Sequence, residues 1–269
     1  MKYYGQFEPP TDRFIYDRYF KYYQEPGTFI ECGAFDGITD SCCYLLEQFF
    51  HWKGLNVEPS PYSYAELAKN RPHSNNLNRA LSNERGHVSF NIVLHPVLGK
   101  AFGNSSISHT EAHMADLKNQ GCTFEETKVE TVTYDDIIRL SRIEKLDLFV
   151  LDVEGHEFKV LDSMIQSDSR IFPNVLVVEH GHLGVQPLRE IIEPLGYIYD
   201  TSMHANSFFV KKGAPTEILK ALIEADQQTD LTRLIDEIKY LNNSIDAFKN
   251  SISWKVTAPL RNIRRILRF

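Results

Sequence analysis

Much that would mark a membrane, metal or dinucleotide protein is missing from this chain of 269 residues. No apolar run approaches the roughly 18 residues that a membrane-spanning helix needs. The opening residues, MKYYGQFEPP, lack the charged stretch leading into an apolar segment that marks a secretory signal, so the expected location is the cytoplasm. The four cysteines, Cys32, Cys42, Cys43 and Cys122, form no Cys-x-x-Cys pair and have no histidine at a zinc-ligand spacing. That argues against a metal cage or a disulfide framework and for reduced, buried thiols. Gly-x-Gly-x-x-Gly, the dinucleotide fingerprint, is absent too. An NAD-dependent sugar oxidoreductase is therefore the weaker of the enzyme readings.

Negative charge is missing from one place only. Residues 251–269 hold Lys255, Arg261, Arg264, Arg265 and Arg268 and no acid. The whole chain carries 29 basic and 36 acidic residues, a net −7, so the remainder has 24 against 36, a net −12. An acidic body is a poor partner for nucleic acid, whose phosphates need a basic face on the domain itself.

What is present is an alternation of short apolar runs with helix-like patterns, which predicts βαβ units and a parallel sheet. The expected strands are 28–31, 54–58, 88–93, 146–152, 174–179, 196–200 and 206–211, with helices over 60–70, 155–165 and after the N-cap Thr133. Four of the first five strands finish on an acid: Glu31, Glu58, Asp152 and Glu179. In an open parallel sheet the ligand crevice lies outside the carboxyl ends of the strands, so the four should converge there. The first strand-to-helix turn reads ECGAFDG, where Gly33 and Gly37 permit a tight turn and a close ligand. About 27 residues beyond Glu31, Glu58 closes the second strand, where a carboxylate can accept both hydroxyls of a ribose. A nucleoside without a pyrophosphate fits this arrangement better than NAD.

In order along the chain stand Glu31-x-Gly33-Ala34-x-Asp36-Gly37, Val57-Glu58-Pro59-x-Pro61, Ala80-Leu81-Ser82-Asn83, Val132-x-x-Asp135-Asp136-Ile137, Asp152-Val153-Glu154-Gly155-x-Glu157 and Val178-Glu179-x-His. This ordered set, spanning about 28–212, resembles the FkbM-type family of S-adenosylmethionine-dependent methyltransferases. The resemblance implies an α/β fold: a Rossmann-like class I methyltransferase sheet of seven strands, the last antiparallel, here with a C-terminal helical extension. It implies S-adenosylmethionine as cofactor, held by Glu31, Gly33, Ala34, Gly37, Glu58, Pro59, Leu81, Ser82 and Asp152. Glu58 would take the ribose, and Leu81 with Ser82 would flank the adenine. The chain departs from the usual pattern in having Glu at 31 and bulky Phe35, which would narrow the pocket.

Methyl transfer to a hydroxyl needs an aligned acceptor and a base. Asp152 is the first candidate for a catalytic carboxylate, with Glu154 and His180 beside it; Asp152 and Glu154 would also suit the start of the helix that follows. Glu179, His180, Ser105 and Ser106 are candidate acceptor-binding residues, the serines lying in a flexible loop over 99–109. No metal ligand is assigned, although Asp152, Glu154 and Glu179 leave open a divalent ion that acidifies the acceptor.

Both ends of the chain have their own character. Nine aromatics stand within the first 23 residues; most should pack a helix over 11–23 onto the sheet, and a minority could stack on a sugar. Near the other end, Leu231, Leu234, Ile238, Leu241, Ile245, Phe248 and Ile252 make an a/d seam that packs on its own domain or pairs with a second copy. Residues 251–269 form a basic amphipathic segment suited to anionic lipid. This segment also resembles the tails of bacterial envelope-glycan enzymes, which implies a surface polysaccharide or its precursor as acceptor, met at the inner face of the membrane. The expected organisation is an aromatic helical segment (1–27), the methyltransferase domain (28–212), a helical extension (213–250) and the basic tail (251–269). The function expected is methylation of a sugar hydroxyl. The contrasting class is a non-catalytic nucleotide-binding adaptor in a glycan assembly complex.

Overall fold

The computed structural model describes residues 2–100, 103–181 and 183–250, and it shows first where the N-terminal aromatics go. Helix α1 (Thr11–Ile15) runs into a π-helical turn (Tyr16–Phe20), so the helix expected over 11–23 is shorter and changes its winding. Phe14 and Tyr19 pack on Phe208, ring centroids 4.9 and 6.0 Å apart, and Phe20 packs on Trp52 at 4.8 Å. Arg18 Nε and Tyr19 Oη both donate to Asp200, at 2.7 and 2.6 Å.

The chain then alternates: β1 (Thr28–Cys32), α2 (Tyr44–Phe50), β2 (Lys53–Val57), α3 (Pro61–Asn70), β3 (Asn75–Leu77), β4 (Ala80–Leu81) and β5 (Gly86–Leu94). It continues through α4 (Glu111–Asn119), β6 (Thr123–Val132), α5 (Tyr134–Ser141), β7 (Leu148–Leu151), α6 (Glu157–Ile165), β8 (Val175–Glu179) and α7 (Val185–Ile192). It ends in β9 (Tyr197–Met203), β10 (Asn206–Lys211) and α8 (Thr216–Asn250). Local signals set the boundaries. Ser60 accepts from Ser63 N–H ahead of Pro61 at the start of α3, and Thr133 with Asp136 forms a capping box on α5.

Seven strands form one sheet in the order β3-β2-β1-β7-β8-β10-β9, parallel except for β10, which runs antiparallel to both neighbours. Central strands such as LFVL and VLVV (175–178) are continuously apolar because both faces are covered. Ile30, Leu55, Phe149, Leu176 and Phe209 join Ile137, Leu161, Met164 and Leu188 of α5–α7 in the main core. The strand order reverses between β1 and β7, which puts a crevice beyond their carboxyl ends.

The strand expected over 88–93 exists but does not belong to this sheet. As β5 it pairs antiparallel with β6 from Gly86↔Thr131 to Leu94↔Thr123, in a second sheet ordered β4-β6-β5. The third strand of the main sheet is the short, polar Asn75–Leu77. β6, TFEETKVETV, was also not readable: its only fully buried positions are Val129, Thr131 and Val132.

Contacts divide the chain into two units after Ala221, within α8. Ile218 and Ala221 are buried in the first unit. In the second, Leu231, Leu234, Ile238, Leu241 and Ile245 are each about half exposed. Ile252 and the basic segment 251–269 lie outside the described residues. Among the described residues no helix is long and apolar enough to cross a membrane.

Candidate functional site

The turn after β1 is organised by one buried acid. The Glu31 carboxylate accepts from Ser41 Oγ at 2.9 Å, Cys42 N–H at 2.7 Å and Cys43 N–H at 3.2 Å. Buried Arg71 lies 3.2 Å from it and pairs with Glu47 at 2.7 Å. Glu31 thus pins the chain at 41–43 and, unlike its neighbours, does not border the cavity. The glycines behave similarly. A Cβ at Gly33 (φ +85°) would stand 1.7 Å from the Asp152 carbonyl oxygen, and one at Gly37 (φ +81°) 2.5 Å from Leu67 Cδ1. They make room chiefly for the protein's own packing, although Gly33 and Ala34 also face the cavity and Gly37 does not.

Glu58 does face it. Phe35 N–H donates to one of its oxygens at 2.9 Å and Ser60 N–H to the other at 2.8 Å. When ionised, each oxygen keeps a second acceptor position, so the carboxyl is fixed yet able to receive hydroxyls. Burial pushes its pKa up to about 8. Val57, Pro59, Ala80 and Leu81 supply an apolar wall beside it, with Phe35. Ser82 stands behind that wall: its Oγ lies 3.0 Å from His156 Nε2.

At the other end, Asp152, Glu154, Glu157 and Glu179 gather beyond β7 and β8. Glu157, fully buried, accepts from Val153 N–H and Gly155 N–H, each at 3.0 Å, and burial pushes it to about 7. Its role is to fold the turn before α6. In that turn Glu154 is left-handed (φ +56°), and a Cβ at Gly155 would lie 2.5 Å from Ser108 O. Burial raises Asp152 to about 6. Glu179 is raised much further, first by burial and then by the charges of Asp152 and Glu154. Glu179 therefore holds the proton of this pair and donates it to Asp152, leaving Asp152 the basic member near neutral pH.

Of the candidate histidines, His180 faces away from the cavity. Its N–H donates to Ala205 O at 2.7 Å and its Nδ1 lies 3.0 Å from Ser207 Oγ, so it is not placed to serve the acceptor. Two others border the cavity instead. His113, near the start of α4, has Nε2 3.1 Å from Asn104 Oδ1 and Nδ1 3.6 Å from Glu154 Oε2. His156 bridges Ser82 and, through Nδ1 at 3.2 Å, Ser108. Burial lowers its pKa to about 4, so it is neutral. His156 was visible inside the motif DVEGHE, but His113 had only its N-cap, Thr110-x-x-His113, to mark a helix start.

The loop expected to be flexible is anchored where its serines sit. Ser105 Oγ accepts from Val93 N–H at 3.0 Å and borders the cavity. Ser106 is wholly buried: its Oγ donates to Val153 O at 3.2 Å, and its backbone pairs with Asn91. Ser106 is therefore a support rather than an acceptor contact.

The cavity joining the two ends measures about 490 Å³, within the range of small-molecule sites. Among the described residues no group of three His, Cys, Asp or Glu side chains could hold a metal ion.

Comparison with known proteins follows the same segment. The family model described as the Methyltransferase FkbM domain matches residues 31–199. Among solved structures, the methyltransferase FkbM from Methylobacillus flagellatus KT is 14% identical with a TM-score of 0.41; the match covers 69% of this chain and 43% of that one. This chain thus spans less than half of that protein. A TehB-like S-adenosylmethionine-dependent methyltransferase from Corynebacterium glutamicum is 10% identical with a TM-score of 0.38, covering 75% of this chain and 87% of that one. No curated protein matches.

Proposed function

The chain belongs to the FkbM methyltransferase family, and from that premise we propose that it is an S-adenosylmethionine-dependent O-methyltransferase whose acceptor is a sugar hydroxyl in a bacterial surface polysaccharide or its precursor. The observation that carries the reading is the continuity of the cavity: a nucleoside-like cradle at Glu58 opens directly onto the Asp152–Glu179 pair.

The residues present fit the cofactor by their donor chemistry. Glu58 offers two fixed oxygens to ribose hydroxyls, and Leu81 with Pro59 offers an apolar surface for a base. S-adenosylmethionine, when bound, supplies a methyl group on a positively charged sulfur. The chain's own part is to align the acceptor and take its proton. Positioning of this kind is worth about 7–11 kcal/mol at best, and a base about 10²- to 10⁴-fold. Asp152, basic near neutral pH, takes the hydroxyl proton, while Glu179 keeps its own and limits the pair to one negative charge.

Residues 251–269 would hold the enzyme at the inner face of the cytoplasmic membrane, and the α8 stripe would pair with a second copy. Co-sedimentation with anionic vesicles, expected to drop when 251–269 is removed, tests the first; an unchanged bound fraction would sink it. The reading as a whole is tested by calorimetry with S-adenosylmethionine, then transfer of labelled methyl to isolated polysaccharide and its lipid-linked precursors. Binding without transfer to any of them would favour the non-catalytic adaptor.

A further inference from the structure

The family match ends at 31 and 199, yet part of the cavity wall lies outside those limits. Gln6 and Phe7 precede the matched segment, Ala205 follows it, and all of them line the cavity. The Phe7 ring stacks on His204 with centroids 4.5 Å apart and planes 18° from parallel, while Phe7 stays 40% exposed.

This presentation is held, not loose. Phe7 has φ +77° and His204 φ +53°, a region that bulky side chains rarely adopt. The backbone around Phe7 is clamped: Tyr4 N–H donates to Asp12 Oδ2 at 2.7 Å, Thr11 N–H to Gln6 O at 3.2 Å, and Gly5 bridges Asp40. A Cβ at Gly5 would lie 2.6 Å from Asp12 N, so only glycine lets the arm seat against α1. The other aromatics of this segment that pack on Phe208 and Trp52 serve the core. Phe7 alone among the residues lining the cavity is an aromatic contributed by that segment.

We propose that the arm and the β9–β10 hairpin form the acceptor subsite, in which the Phe7 ring stacks on the apolar face of an uncharged pyranose. The inference rests on the methyltransferase reading and goes further by naming the residues that choose the acceptor. A sugar ring pairs a C–H face with a hydroxyl rim, and the wall offers the same two surfaces: the Phe7 ring and the polar groups of Gln6, Asp40 and Asn104. A bare acyl chain would leave those polar groups without partners. A phosphorylated sugar would meet Asp40, Asp152 and Glu154, and no lysine or arginine lines the cavity among the described residues.

The test uses the full chain and simple probes. Calorimetry with S-adenosylhomocysteine reports the cofactor end; saturation-transfer NMR with a panel of neutral methyl pyranosides and a matched sugar 1-phosphate reports the subsite. We expect at least one pyranoside to bind through its ring C–H protons and more tightly than the phosphate. Phe7→Leu should weaken it about tenfold, and Phe7→Trp should retain it, with homocysteine-nucleoside affinity unchanged in both. Normal S-adenosylhomocysteine binding with no pyranoside bound, equal pyranoside affinity in Phe7→Leu, or preference for the phosphate would each overturn the subsite. Loss of S-adenosylhomocysteine binding in the unsubstituted chain would instead strike the methyltransferase reading, and the pyranoside data would still judge the subsite. Should Phe7→Leu fail to fold, His204→Ala, which removes the ring behind Phe7, is expected to weaken the pyranoside in the same direction, and no change would overturn the proposal.

Discussion

At the β1–β2 end of the cavity, Glu31 and Glu58 accept backbone N–H groups from Cys42, Cys43, Phe35 and Ser60. At the β7–β8 end, burial pushes Asp152, Glu154 and Glu179 toward their protonated forms, with neighbouring carboxylates adding to it. The same residue type does two jobs. Donors from the main chain turn a carboxylate into a rigid piece of loop geometry. Burial among other carboxylates turns it into a titrating group whose proton can move near neutral pH.

Asp152→Asn should separate the two ends most sharply. It is nearly the same shape but cannot take a proton, so kcat is expected to fall by about 10²- to 10⁴-fold while S-adenosylmethionine affinity changes less than about tenfold. An equal loss in affinity, seen by calorimetry, would mean that Asp152 belongs with the cofactor end. Glu31→Ala should act on the fold instead. It removes one of the partners of fully buried Arg71, which remains paired to Glu47, and should cost about 3 kcal/mol in urea unfolding. A stable Glu31→Ala protein that had lost only cofactor affinity would reverse the assignment of Glu31 to loop geometry.

These two acids also show what could be read from the sequence. Acids at strand ends and glycines in the following turn are local signals, and they mark the β1, β2, β7 and β8 ends in the sequence itself. The sheet followed because its central strands are buried on both faces and read as apolar runs. What local pattern could not give was contact between distant segments. His113 meets Glu154 across forty residues, and Phe7 meets His204 across most of the chain. His180, close in sequence to Glu179, turns instead toward Ser207 on the neighbouring strand. β3 and β6 were missed for a different reason: NNL is too short and polar, and TFEETKVETV exposes most of its length.

Glu58→Ala comes next in size. The fixed loop around Phe35 and Ser60 depends on it, and under the proposed ribose assignment two hydroxyl contacts would go as well, so S-adenosylmethionine affinity should drop about 30- to 100-fold, with kcat at saturation much less affected. Unchanged affinity would remove the ribose from this position.

The smallest expected effect is on stability as a function of pH, and it weighs the two ends against each other. Glu58, near 8, Glu157, near 7, and Asp152, near 6, all sit above the ordinary carboxyl range, as do Glu154 and Glu179. Between about pH 4 and 8 the folded protein therefore binds more protons than the unfolded chain. Stability is fully present below the ordinary carboxyl pKa and is lost as pH rises through the folded values. Thermal melts of the ligand-free protein should fall by roughly 5 °C or more from pH 5 to 9. Glutamine keeps the shape and cannot ionise, so both Glu58→Gln and Glu179→Gln should flatten the decline. Glu179→Gln should flatten it more, because Glu179 is raised further than Glu58 and keeps its proton over more of that range while the unfolded chain has lost it. A melting temperature that is level or rises with pH would mean that the carboxyls beyond β7 and β8 find compensating charge in the folded protein, and the contrast between the two ends would fail.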